Sequence, residues 1–201
     1  SFLYTWDGSG KFWWLKKYFN DILNIYKKIH TIKISSYGWL STKFNGSKLS
    51  WLEYLEDIEN VEVIIESNEY WKREIMWIKN ELKSLLFRNR IESRLLYGDF
   101  NFSNFIVNEK NKIYALDFQN VFAGDPLYDF GIMITKDDPL KLFVLKSYTS
   151  KQSRKRILLY GLRHLISMLS YSIMKSDLAR FDFINSQYGH IKKEYKALFT
   201  K

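Results

Sequence analysis

The 201-residue chain is 46% hydrophobic and 18% aromatic, enough to build a packed core and too much for a disordered segment. It contains no cysteine, which excludes disulfides, zinc–thiolate sites and cysteine nucleophiles and fits a cytoplasmic setting. The net charge of +9 admits nucleic acid, an anionic surface or an acidic ligand as partner, and no apolar run of about 18 residues supports a membrane span.

The chain starts with Ser1, without an initiator Met and without the basic-then-apolar pattern of a signal peptide, so it reads as a fragment of a longer protein. Trp13, Leu15, Phe19, Ile22, Leu23, Tyr26 and Ile29 recur at helical spacing and predict an amphipathic helix over residues 11–31. Residues 31–38 read as a loop. Residues 39–67 have no clear period beyond a short helix over 49–58. Asn68 is placed to cap a long helix with Trp71, Ile75, Ile78, Leu82, Leu85 and Leu86 on its buried face, ending near residue 88.

The texture then changes. Residues 94–97, 105–107 and 113–118 are short apolar or β-branched runs, and the polar segment 108–112 is a hairpin turn between the last two. From Asp125 the chain returns to helix. Asp138 followed by Pro139 is an N-cap with Pro at the first helical position, and residues 153–175 and 177–199 form two further helices. The pattern is a single α+β unit over residues 1–201, mainly α, with a small β-hairpin region.

Several features read blandly. The basic run between Lys146 and Arg163, which holds Lys151, Arg154, Lys155 and Arg156, is taken as a solvated helix face. His30, His164 and His190 lack the spacing of a metal pair and read as surface or core histidines. Trp13, Trp14, Trp71 and Trp77 fit core packing better than a cleft lining. Tyr171 and the C-terminal helices are a candidate substrate wall.

One constellation carries chemistry. Asp99 leaves a short apolar strand, Asn104 enters the next strand five residues later, and Asp117 ends the third, thirteen residues after Asn104. A hairpin between the second and third strands brings Asn104 and Asp117 together, with Asp99 in the loop beside them. Magnesium takes hard oxygen ligands, often one or two carboxylates plus substrate phosphates, which Asp117 and Asn104 would provide. A carboxylate kept off the metal can deprotonate a hydroxyl, which is the role open to Asp99.

The wording of these blocks resembles the aminoglycoside phosphotransferase family, which includes antibiotic, choline-type, homoserine-type and fructosamine-type kinases. Tyr97-Gly98-Asp99 with Asn104 looks like its H-G-D-x4-N block, and Gly124-Asp125-Pro126 with Asp129 its G-D-P-x-x-D block. The resemblance implies a protein-kinase-like C-terminal lobe. It also implies Asp99 as catalytic base, Asn104 and Asp117 as ligands of Mg2+ and so of the nucleotide, ATP or GTP, and Asp125 and Asp129 as structural supports. Asp129-Phe130-Gly131 spells the metal motif of protein kinases, but it lies 25 residues from Asn104, inside the G-D-P-x-x-D block. The metal is therefore assigned to Asp117.

Tyr97 stands where the family has His. No upstream Gly-rich loop, nucleotide lysine or partner glutamate is found, and Gly8-Ser9-Gly10-Lys11 lacks P-loop spacing. By resemblance the N-terminal nucleotide-binding lobe is absent from this chain, and the fragment alone is expected to be inactive.

The expected function is transfer of a γ-phosphoryl group to the hydroxyl of a small molecule. Aminoglycoside antibiotics, and hence antibiotic resistance, lead by family name, with Asp137 and Asp138 as an acidic rim. Kinases for choline, homoserine or a sugar amine are alternatives. So is a catalytically silent binding relative, which Tyr97 motivates. A nucleic-acid module built on residues 151–156 ranks last, because it leaves Asp99, Asn104 and Asp117 unexplained.

Overall fold

The computed structural model describes residues 11–87, 90–136 and 138–199. Helix α1 (Lys11–Ile29) buries Phe19, Ile22, Leu23, Tyr26 and Ile29, the face expected from their spacing. Its end is tightened by the Thr31 N–H donating to the Lys28 carbonyl at 3.2 Å, and Lys27 and Lys28 in its last turn suit the helix dipole.

A hairpin follows where no strand is expected: β1 (Tyr37–Leu40) and β2 (Gly46–Lys48) pair antiparallel. Residues 49–67 hold two short helices rather than one, α2 (Trp51–Glu56) and α3 (Val61–Ser67). Ser50 caps α2 by accepting the Glu53 N–H at 3.1 Å. Asn68 caps α4 (Glu69–Phe87), its Oδ1 accepting from the N–H groups of Tyr70 at 2.8 Å and Trp71 at 3.3 Å.

Strand β3 (Arg94–Leu96) leads into the loop carrying Asp99. A 3-10 turn, Phe102–Asn104, opens β4 (Phe105–Val107), which pairs with β5 (Ile113–Ala115). The run to residue 118 is therefore shorter as a strand than its composition suggests. A further unexpected strand, β6 (Phe122–Gly124), lies between β1 and β3, giving a four-stranded sheet in the order β2-β1-β6-β3. All its pairings are antiparallel. Phe122-Ala123-Gly124 has no β-branched residue, and contact with α2 explains why it sits centrally. A Cβ at Gly124 would stand 2.3 Å from the Trp51 ring, so only glycine lets β6 approach.

Helices α5 (Leu127–Met133), α6 (Asp138–Ser147), α7 (Lys151–Met174) and α8 (Leu178–Ala197) complete the chain. Every described residue of α5 is buried, packed mainly against α7. By length and composition alone α7 could cross a membrane, yet 67% of that stretch is buried inside the fold.

Two bland readings change here. The basic run is not simply a solvated face: Arg154 donates to the Leu145 and Tyr148 carbonyls, Lys155 pairs with Glu81 at 3.6 Å and Arg156 with Asp125 at 2.9 Å. Their charges are used to dock α7, which leaves Lys151 as its exposed basic member. Arg163 is also internal. Its five N–H donors reach the carbonyls of Tyr54, Leu55 and Asp57 and the hydroxyls of Tyr128 and Ser167, so one buried cation closes the C-terminal end of α2. Trp71 is in the core as expected, while the side chains of Trp13 and Trp14 lie outside the described residues.

Candidate active site

The site is organised by Asp129, in the first turn of α5 and 1% exposed. Its Oδ2 accepts the Tyr97 N–H at 2.9 Å and its Oδ1 the Gly98 N–H at 2.9 Å. His30 Nε2, from the end of α1, meets Oδ2 at 2.8 Å. His30 is thus part of the brace and not an incidental core histidine. It lies 99 residues from Asp129, and no sequence spacing could have joined them.

Gly98 turns the chain with φ +79°, and a Cβ there would stand 2.1 Å from the Asn120 carbonyl oxygen. Only glycine makes this turn, and it delivers Asp99 half-buried at the head of the loop. The Asn120 side chain donates to Asp99 Oδ2 at 3.2 Å. Asn120 is a site residue the sequence reading missed, three places beyond Asp117.

The β4–β5 register pairs Phe105 with Ala115, so Asn104 and Leu116 face each other, and the Leu116 N–H donates to the Asn104 carbonyl at 2.7 Å. Asp117 follows in the left-handed region at φ 55°, a conformation uncommon for Asp outside turns and functional loops. Its Oδ1 accepts the Gln119 N–H at 3.3 Å and its side chain is otherwise exposed. Asn104 Nδ2 reaches back to the Asp99 carbonyl at 3.5 Å. The structure therefore brings Asp99, Asn104 and Asp117 to one end of the hairpin.

Tyr97 ties these parts together. Its hydroxyl donates to the Leu116 carbonyl, and its ring packs edge-on against Tyr26 and Phe118. Burial pushes this hydroxyl up to about 12; the Asn104 side chain opposes the rise, while Asp99, Asp117 and Asp129 add to it. The Tyr in place of His leaves both backbone donors of the loop on Asp129 and adds a strut to the end of β5.

Asp125 does a different job. Its Oδ1 accepts the Leu127 N–H at 3.0 Å, and its Oδ2 takes Arg156 at 2.9 Å and the Tyr160 hydroxyl at 2.8 Å. Tyr160 in turn accepts Trp51 Nε1 at 3.0 Å, which links α5, α7 and α2.

Among the described residues no group of three acidic or histidine side chains could form a full metal cage. Asn104 and Asp117 fit magnesium better than a caged metal: one exposed carboxylate and one amide oxygen leave positions for phosphates and water. Asp137 and the side chain of Asp138, read as an acidic rim, lie outside the described residues.

Beside Asp99 the wall is basic. Lys136, just past α5, is held below the usual lysine range by burial, drawn up by Asp99 and pushed down by Arg180. His164 of α7 is lowered to about 3 by burial and then by Lys136, Arg163 and Arg180. Arg180, in the first turn of α8, lies 5.3 Å from the ring centre of Tyr171.

The chain matches the model of the phosphotransferase enzyme family over residues 15–149. It belongs to that family. Its fold is shared with a thermostable mutant of aminoglycoside phosphotransferase APH(4)-Ia solved with AMP-PNP and hygromycin B, at TM-score 0.74 and 14% identity over 88% of this chain and 64% of that one. Choline kinase LicA from Streptococcus pneumoniae aligns at TM-score 0.60 and 18% identity, over 91% of this chain and 64% of that one. A choline/ethanolamine kinase family protein from Mesorhizobium loti aligns at TM-score 0.64 and 12% identity, over 95% and 65%. The chain thus spans just under two thirds of the length of these family structures. No curated protein sequence matches it.

Proposed function

We propose that this protein is a small-molecule kinase, transferring the γ-phosphoryl group of ATP or GTP to an acceptor hydroxyl. The observation that carries the reading is the placement of Asp99. Its loop is fixed by two backbone N–H groups on Asp129, next to the hairpin end that holds Asn104 and Asp117.

Asp99 would accept the proton of the acceptor hydroxyl as the oxygen attacks phosphorus. Asn120 holds Oδ2, so Oδ1 remains to face the hydroxyl. General-base help of this kind is worth about 10²–10⁴ in rate. Asn104 and Asp117 would hold magnesium, which neutralises phosphate charge when bound. Family membership and the shared fold support this reading. The acceptors printed for the structural relatives, hygromycin B and choline, suggest polar hydroxyl compounds as a class.

The test is phosphoryl transfer from Mg·ATP and Mg·GTP to a panel of aminoglycosides, choline, amino-acid alcohols, sugars and sugar acids. Asp99→Asn should keep magnesium-dependent nucleotide binding and lose transfer by two or more powers of ten. Nucleotide binding without transfer to any acceptor would favour a silent binding relative. No magnesium-dependent nucleotide binding at all would refute the kinase reading.

A further inference from the structure

Cations in this fold generally have carboxylate partners. Lys48 pairs with Asp57, Arg94 with Glu92, Arg156 with Asp125 and Lys192 with Glu74. The group beside Asp99 is different. Among the described residues, Lys136, Lys175 and Arg180 form no salt bridge. Asp177, the nearest acid in sequence to Arg180, uses its carboxylate on the Arg180 backbone N–H at 3.0 Å.

The placement of these cations follows from the fold. Asp129 clamps α5 to Tyr97 and Gly98, and Lys136 lies seven residues further on, about two helical turns. It is half-buried at the end of that element, within the field of both Asp99 and Arg180. From the other side, Arg180 and Lys175 flank the ring of Tyr171 at 5.3 and 5.8 Å, and that ring is 51% exposed. His164, from the intervening helix, is too buried and too surrounded by positive charge to add a proton of its own near neutral pH. The result is an exposed aromatic face and a set of unpaired cations next to the candidate base.

We propose that the acceptor carries an anionic group, a carboxylate or phosphate, beside the hydroxyl it presents to Asp99, and that Lys136 and Arg180 bind it while Tyr171 packs on its carbon skeleton. This assignment rests on the reading of Asp99 as the base of a kinase. An oxyanion supplies the counter-charge these side chains lack. A polycationic aminoglycoside would meet like charges at the same wall, which is unfavourable for both affinity and orientation.

Isothermal titration calorimetry on this chain tests the proposal with gluconate, inorganic phosphate and kanamycin as probes. Gluconate and phosphate should bind, and kanamycin should bind more weakly than either. Lys136→Met and Arg180→Met should each weaken gluconate at least tenfold. Lys193→Met, an exposed charge change elsewhere on α8, should not. Thermal unfolding checks each variant, and if Lys136→Met misfolds, Arg180→Met at its exposed position carries the test.

Tighter binding of kanamycin, no binding of either anion, or equal losses in Lys193→Met and Arg180→Met would overturn the proposal. Displacement of gluconate by Mg·ATP would put these cations on the nucleotide and overturn the acceptor assignment. Binding is read here without transfer. Anion binding with no phosphoryl transfer to any acceptor would therefore sink the kinase reading and leave the anion site standing.

Discussion

Replacing Asp129 by Asn tests the brace with almost no change in volume. The carboxylate takes three donors, His30 at 2.8 Å and the N–H groups of Tyr97 and Gly98 at 2.9 Å each, in a position 1% exposed to water. An amide keeps one oxygen. Whichever way it turns, its NH2 then faces at least one backbone N–H that has no other acceptor. The lost charge-assisted bond is worth about 1.5–3 kcal/mol and the stranded donor about 1–3 kcal/mol more, which gives roughly 2–5 kcal/mol after partial relaxation. For a domain of this size each kcal/mol lowers Tm by about 2–4 °C, so the expected fall is about 5–15 °C. Thermal unfolding followed by circular dichroism at pH 7 reads it directly. A Tm within about 1 °C of wild type would show that water or a rearranged loop replaces the brace, and the account of the site would fail with it.

Three further outcomes are expected. Arg163→Met removes all five donors that close α2 and should cost about 2–4 kcal/mol, measured by urea unfolding; an unchanged midpoint would mean those carbonyls find other partners. Asp117→Asn should abolish magnesium dependence of nucleotide binding while leaving Tm nearly unchanged, because its side chain is exposed and takes only the Gln119 N–H; a large Tm loss would make Asp117 structural. His164 has a folded pKa lowered from 6.5 to about 3, so its contribution to stability is present above pH 6.5 and is lost as pH falls through 6.5 toward 3. Over that window His164→Gln should flatten the loss of stability by up to about one proton's slope; identical pH profiles would contradict the burial of this imidazole.

The long helices were legible because their burial follows one period. The spacing of Ile22, Tyr26 and Ile29 in α1, and of Ile75, Ile78 and Leu82 in α4, states which face turns inward, and Asn68 marks where α4 begins. The meeting of Asn104 with Asp117 was legible for a local reason: a short hairpin fixes its own register. The four-stranded sheet was not. Its strands are three or four residues long, β2 and β6 lack β-branched residues, and their partners are distant in sequence. What selects β6 is the room Gly124 leaves for Trp51, a packing fact with no local signature. The same holds for His30 against Asp129 and for Lys136 and Arg180 near Asp99. Chemistry set by hairpin spacing could be read in advance, and chemistry set by helix docking could not.

The bond from the Tyr97 hydroxyl to the Leu116 carbonyl has a consequence for how this site can change. It joins the loop of the candidate base to the strand end that precedes Asp117, so the distance between proton acceptor and metal ligand is set by the length of one phenol ring. A shorter ring at this position would let the two drift apart or draw them together, altering both at once. Base and metal ligands therefore behave as a single mechanical part, and a sequence carrying Tyr here is committed to a spacing that a histidine-bearing relative need not share.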